Sequence, residues 1–353
     1  MHIDKISSKE RMNNLFKGKP IDRIPVLSYM EAFAGKVCNY GTKEYYLNPQ
    51  IAYDCQVITK ELFGYDDGPG YDIPSGYIEQ FGGEIEYLDN PKLSFPKIKR
   101  YAVNSLDEIE SLTLPDITTG FLSKRILEFN KILYEKDKNI GVTAGSPLNI
   151  AIAIVGPNNL LKWMIKEPNM VHKLLRFATD YILENARVHK EIFKDASIGA
   201  GIAAPIESHN VISPKNFEKF SLPYIVEIYN KFSDMNINIQ SVHLCGDHKK
   251  NISIWKDSVK LKPRTLITLG EEADMVELSK QFGEDFIIGG NLRNKTLQLG
   301  KPSDVYNEAK EMILKMKNFK GGYAIAPDCT LSYLTPSANL YAMIKAARDF
   351  GSY

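Results

Sequence analysis

The chain has 353 residues, 44% hydrophobic and 25% charged, an ordinary balance for a globular protein with a sizeable core, which excludes a disordered chain. Its 44 basic and 43 acidic side chains leave a formal net charge of +1, so there is no electrostatic footprint for nucleic acid or an acidic membrane surface. The amino terminus lacks an apolar signal core, and no stretch approaches the roughly 18 apolar residues of a membrane span, so a cytoplasmic protein with no membrane partner is expected.

In chain order, the first strand expected is RIPVLSY (23–29). Residues 34–138 follow, where GYDDGPGYDIPSGY (64–77) and NPKLSFPKIKRY (90–101) are rich in Gly, Pro and Tyr rather than periodic. That segment reads as an irregular elaboration over a barrel mouth, either a lid or substrate wall or a plain surface excursion. From residue 139 onward, apolar runs alternate with helical patterns. The runs NIGVTAG (139–145), ASIGAGIAA (196–204), NIQSVHLCG (238–246), RTLITLG (264–270), DFIIGGNL (285–292) and GGYAIAPDC (321–329) each read as buried strands.

Between the first two of these runs, Val171, Leu174, Leu175, Ala178, Ile182 and Ala186 keep helical spacing and give one long helix a single buried stripe. The last helix is expected to open with Thr335 as N-cap and Pro336 as first helical residue, and to close on a left-handed Gly351. Repeated strand-helix units over this length point to one α/β domain, a (βα)8 TIM barrel spanning 1–353.

Four cysteines are too few for a disulfide framework and are read as thiols. Cys38 and Cys55 have no metal-type neighbour and are expected to be small core residues. In SVHLCGDH, His243 and Cys245 are two apart at a strand end, so the pleat sends both to one face. Cys329 ends another strand and emerges, in a parallel barrel, at the same carboxyl-terminal rim. One His and two thiolates with an open fourth position suit catalytic zinc. A buried histidine beside two inert cysteines accounts for the same residues equally well.

Other rim candidates follow from strand ends. Glu207 and His209 lie just past one strand, Asp247 and His248 follow the zinc pair, Glu271 and Glu272 end the next strand, and Glu31 follows the first. Glu207, Asp247 and Glu271 are the catalytic candidates; Glu271 or Glu272 would fill the fourth metal position in the absence of substrate. Glu31 and His209 are substrate-binding candidates. His248 reads as solvated, and His2, His172 and His189 as surface or helix-packing residues.

The chain resembles the uroporphyrinogen decarboxylase superfamily along nearly its whole length, from RMNNLFKGKPIDRIPV through EPNMVHKLLRFATDYI and VISPKNFEKFSLPY to HLCGDH. HLCG, FIIGGNL and APDCTLSYLTPSANLYAMIKAAR resemble its methylcobamide:coenzyme M methyltransferase branch. That resemblance implies His243, Cys245 and Cys329 as ligands of catalytic zinc, and Asn291 as a turn residue that hydrogen-bonds ligand or backbone and is a substrate-binding candidate. It also implies a partner protein that presents methylcobalamin, a corrinoid, and a small thiol acceptor or methylated donor.

The decarboxylase branch holds its porphyrinogen with arginines after the first strand. Here that segment reads SYMEAFAGKVCNY, and Arg23 would sit at the opposite rim. A decarboxylase of that type, or a non-catalytic barrel that binds corrinoid or tetrapyrrole, are the alternatives.

Overall fold

A computed structural model describes residues 4–87 and 95–353. Among the described residues there are eight strands: β1 (Glu84–Glu86), β2 (Lys97–Arg100), β3 (Asn139–Thr143), β4 (Ser197–Ala203), β5 (Asn238–Leu244), β6 (Leu266–Leu269), β7 (Ile287–Gly289) and β8 (Tyr323–Ala324). β1 and β2 form a separate antiparallel pair, while β3 to β8 form one parallel sheet in which each strand lies beside its predecessor. Sequential order with helical crossovers is the order of a TIM barrel, not of a doubly wound sheet. Strands covered on both faces read as continuous apolar runs, and every residue of Leu266–Leu269 and Ile287–Gly289 is buried.

The expected strand at 23–29 is an extended stave with two isolated bridges and no continuous ladder. Val26 pairs in parallel with Ile325, Leu27 N–H donates to the Ile325 carbonyl at 2.8 Å, and Ile325 N–H donates to that of Pro25 at 2.9 Å. Pro25 has no N–H to extend the ladder. An eighth stave begins where Asp66 N–H donates to the Val26 carbonyl at 2.8 Å. Among the described residues no backbone ladder joins this stave to β3. A cavity of about 680 Å³ lies between them, walled by Gly70, Tyr71, Gly141 and Thr143 among others.

The helices start where side chains can satisfy their free N–H groups. Asn48, Ser146 and Ser213 cap helices whose first residue is Pro49, Pro147 or Pro214, and Asp274 caps Met275–Phe282. The expected stripe lies on Pro168–Ile192, with Val171, Leu174, Leu175, Ala178, Ile182 and Ala186 all buried. Pro147–Lys166 is long and apolar enough to cross a membrane by length and composition, but half of that window is buried inside the fold.

Two expectations are corrected. Residues 34–138 are irregular over 64–75 as expected, but about half of them are helical, with Thr42–Leu47, Pro49–Phe63, Gly76–Gln80, Leu106–Glu110 and Phe121–Asp137 in regular turns; part of the second irregular motif falls on 88–94, outside the described residues. The last helix runs Ser337–Phe350 with Pro336 as its N-cap, and Gly351 closes it at φ −88°, not in the left-handed region. The helix starts one residue later than expected: Asn339 and Leu340 N–H donate to the Pro336 carbonyl, and the buried Thr335 hydroxyl makes no cap.

Candidate metal centre and its cavity

β5 delivers His243 to the carboxyl-terminal rim, and Cys245 follows one residue past the strand. Gly246 then turns the chain at φ +87°, where a Cβ would lie 2.8 Å from that of Ser208. Only glycine allows this turn against the neighbouring loop. Beyond β8, the chain continues through a bridge between Pro327 and Leu292 and brings Cys329 to the same rim. One ligand atom each of His243, Cys245 and Cys329 lies within 4.8 Å of the others.

The imidazole is oriented from behind. Strand register places Thr268 of β6 opposite His243, and His243 Nδ1 lies 2.9 Å from Thr268 Oγ1. With Nδ1–H donating to that oxygen, Nε2 keeps its lone pair; it is buried and has no partner. Thr268 is also hydrogen-bonded to Tyr29, whose ring centroid is 5.9 Å from that of His243. An imidazole fixed at one nitrogen and vacant at the other, facing two sulfurs, fits a zinc ion of the catalytic type. The sulfurs also act on each other: the hydrogen bond from Cys245, with the His243 imidazole nearby, pushes the Cys329 thiol down to about 4, whereas the pairing with Cys329 and burial push Cys245 up.

Beside this cluster opens a cavity of about 280 Å³. Glu31 Oε1 accepts from Thr330 Oγ1 at 3.1 Å, the residue after Cys329, and Glu31 Oε2 accepts from the Tyr46 hydroxyl at 3.4 Å. Burial, with the Asp72 charge added, pushes the Glu31 carboxyl up to about 8. Burial also pushes Asp67 and Asp72 up to about 6 each. Asp72 is open to the cavities on either side but surrounded by protein, which is why its carboxyl rises although part of it is accessible.

The match to the uroporphyrinogen decarboxylase (URO-D) family model spans residues 7–350. The chain belongs to that family. Among the family's curated members it is similar to the methylcobamide:CoM methyltransferase MtbA of Methanosarcina acetivorans, 24% identical, with 97% of this chain and 98% of the relative covered. A methylated-thiol–coenzyme M methyltransferase of Methanosarcina mazei is 28% identical, over 89% of this chain and 80% of that one. A uroporphyrinogen decarboxylase of Geotalea uraniireducens is 22% identical, over 87% and 88%. A solved methyltransferase from Methanosarcina mazei superposes with a TM-score of 0.79 at 22% identity, covering 98% of this chain and 99% of that chain, and confirms the fold.

Within this family fold, the other sequence candidates fall in different places. Glu31 lines the cavity. Glu207 is fully buried, its Oε1 accepting from Ser221 Oγ at 2.6 Å and its carbonyl from Asn251 Nδ2 at 2.8 Å; burial raises its carboxyl, and no hydrogen bond links it to the cluster. Asp247 is a turn cap, accepting from Lys249 N–H at 3.0 Å. His209 Nε2 accepts from Lys250 N–H at 2.9 Å and ties two rim loops together.

Asn291 points its amide at backbone, donating to the carbonyls of Gly270 at 2.7 Å and Ala273 at 3.0 Å. It clamps the turn that carries Glu271 and Glu272. Glu271 lines an outer groove with Arg293 and Glu308. Glu272, with Asp328, is an acid whose charge bears on Cys245.

His248 is buried rather than solvated: its Nε2 lies 3.2 Å from the Cys245 carbonyl, and its ring stands 6.5 Å from that of Trp255. His172 stacks on Phe220, and His189 is buried, both within helix packing; His2 lies outside the described residues. Cys55 is buried and Cys38 partly so, without metal-type company.

Sequence reasoning missed Tyr29, Thr268, Asp67 and Asp72. Thr268 was accessible by counting strand register from the LITL run. The two aspartates sit in a Gly-rich stretch whose irregular pattern gives no indication of which acids turn inward.

Proposed function

We propose that this chain transfers a methyl group between a corrinoid protein and a small thiol or methylated substrate, with zinc held by His243, Cys245 and Cys329. The observation that supports this reading most is the convergence of one imidazole and two thiols at the barrel rim, with the imidazole Nε2 buried and unpartnered. Zinc there would lower the pKa of a bound thiol so that thiolate exists at neutral pH.

The chain's own residues supply the positioning. Thr268 holds the His243 tautomer, Asn291 holds the turn beside Cys245, and Tyr29 covers the imidazole. For a thiol acceptor, the sulfur–carbon bond forms as the methyl leaves the corrinoid, and the thiol proton goes to solvent. The named activities of the relatives support this direction, and the missing arginines after the first stave disfavour a porphyrinogen. Arg23, the arginine that precedes that stave, is engaged with Asp4 and Asp66.

The test is direct. Purified protein should carry about one zinc per chain, and absorbance should report loss of the methylated corrinoid with candidate thiols or its formation with methylated donors. Cys329→Ala should abolish both the metal and the spectral change. Metal-free protein that consumes uroporphyrinogen would overturn the reading.

A further inference from the structure

We propose that the small substrate of this site carries a cationic ammonium group, seated in the acid-lined cavity beside the His243, Cys245 and Cys329 cluster. The proposal rests on the methyl-transfer reading for the word substrate and on the cavity's own chemistry for the charge.

The cavity holds three carboxylates, Glu31, Asp67 and Asp72, together with the rings of Tyr29, Tyr65 and Tyr71. No lysine or arginine lines it, and none lines the larger cavity on the far side of Gly70–Asp72, which shares Asp67 and Asp72. The nearby cation, Lys60, donates to the backbone carbonyls of Asp66 and Asp67 at 3.1 and 2.6 Å, and its charge acts on Asp67. Asp67 is further held by the N–H and hydroxyl of Ser28 at 3.0 Å each. Glu31 receives hydroxyls only, and Asp72 accepts from the neighbouring Ile73 N–H at 2.8 Å.

Acids enclosed in protein without a counter-charge are costly, and their raised carboxyl pKa values record that cost. A ligand that brings a positive charge removes it. Aromatic rings around a carboxylate cluster add cation–π attraction for an alkylammonium. An anionic substrate meets the two aspartates and no cation in the cavity wall.

Two walls of the cavity adjoin the His243, Cys245 and Cys329 cluster. Tyr29, over His243, and Thr330, next to Cys329, are both lining residues. A group held by the carboxylates therefore places its reacting end at the cluster. Coenzyme M, the thiol in the relatives' names, carries a sulfonate, so this chain is expected to use a different small molecule.

Titration calorimetry on the zinc-loaded, full-length protein tests this with three thiols of similar size: cysteamine, 2-mercaptoethanol and 2-mercaptoethanesulfonate. Cysteamine should bind on the order of tenfold tighter than the sulfonate, the worth of one charge-assisted contact, and tetramethylammonium should compete with it. Asp72→Asn, and separately Glu31→Gln, should pull the ratio of the two affinities towards one; circular dichroism checks that each variant folds, and the wild-type series carries the test if either does not. Equal or tighter binding of the sulfonate, or a ratio that neither folded variant changes, overturns the proposal. A parallel methylcobalamin assay separates the two readings. Methyl transfer that favours the anionic thiol sinks the charge assignment alone, whereas cation binding without transfer in either direction supports it and sinks the methyl-transfer reading.

Discussion

Asp66 and Asp67 are adjacent in an extended segment, and the pleat sends their carboxylates into opposite environments. Asp66 is fully buried and accepts from Arg11 at 2.6 Å, Arg23 at 2.7 Å and the Val26 N–H at 2.8 Å. Arg11 goes on to Asp22 and Arg23 to Asp4. Every acid of that network meets a guanidinium. One residue later, Asp67 turns to the rim cavity with Glu31 and Asp72, where no guanidinium enters. The same fold thus buries two groups of acids under different rules: one is satisfied by the chain itself, the other is left for something the chain does not supply.

The paired group is where the largest effect on folding is expected. Asp66→Asn leaves two buried guanidiniums short of their shared counter-charge, and removing one partner of a buried network costs about 3–5 kcal/mol. Urea unfolding with linear extrapolation measures it. A loss below about 1 kcal/mol would mean that the network is solvated in practice, and the contrast between the two acid groups would disappear.

A second change sharpens the contrast at the rim, where the effect should appear in ligand affinity rather than in the fold. Thr268→Val keeps the shape of the side chain and removes the oxygen that fixes His243 Nδ1. Loss of such an outer partner weakens metal binding by about 10–100-fold. Competition with a zinc chelator reads this. Unchanged affinity would show that the imidazole is held by packing against Tyr29 alone.

These two groups were not equally legible in the chain. The strands from 139 onward announce themselves because buried parallel strands are continuous apolar runs. The metal trio followed from strand ends: His243 and Cys245 share a face by the period of the pleat, and Cys329 closes another strand. The helices of 34–138 stayed hidden because their buried stripes are partly polar. Pro49–Phe63 buries Ala52, Cys55, Gln56 and Thr59 at helical spacing, and Phe121–Asp137 buries Ser123 and Asn130.

Such residues are buried because they bond backbone across the fold. Gln56 Nε2 donates to the Gly70 carbonyl at 2.8 Å, and Asn130 Nδ2 to that of Gly141 at 2.8 Å. A hydrophobicity pattern does not register a stripe of that kind. For the same reason position alone makes Asn291 a substrate-binding candidate and Asp247 a catalytic one: a polar residue at a rim can serve the backbone as readily as a substrate, and only its partners decide.

The smallest expected effect is a difference in sign. Burial alone would raise the Asp22 carboxyl, but the Arg11 guanidinium outweighs it and holds the group below its ordinary 3.8. Its contribution to stability is present above that unfolded value and is lost as pH falls through the lower, folded one. Asp72 behaves oppositely. Burial moves its carboxyl up to about 6 from the same 3.8, so between those values the folded chain keeps a proton that the unfolded chain has released.

Asp72 therefore favours the fold most at low pH, and that contribution is lost as pH rises towards about 6. In metal-free protein without added cation, Asp72→Asn should raise the melting temperature relative to wild type by an amount that grows through this window and then levels off. Asp22→Asn should lower it above about pH 4, where the unfolded carboxylate is ionised. Thermal melts of both variants at pH 4.5 and 7.5, compared with wild type, measure the two signs. Parallel losses in the two variants would mean that Asp72 has a counter-charge after all, and the rim would then be a second paired network rather than a seat for a cation.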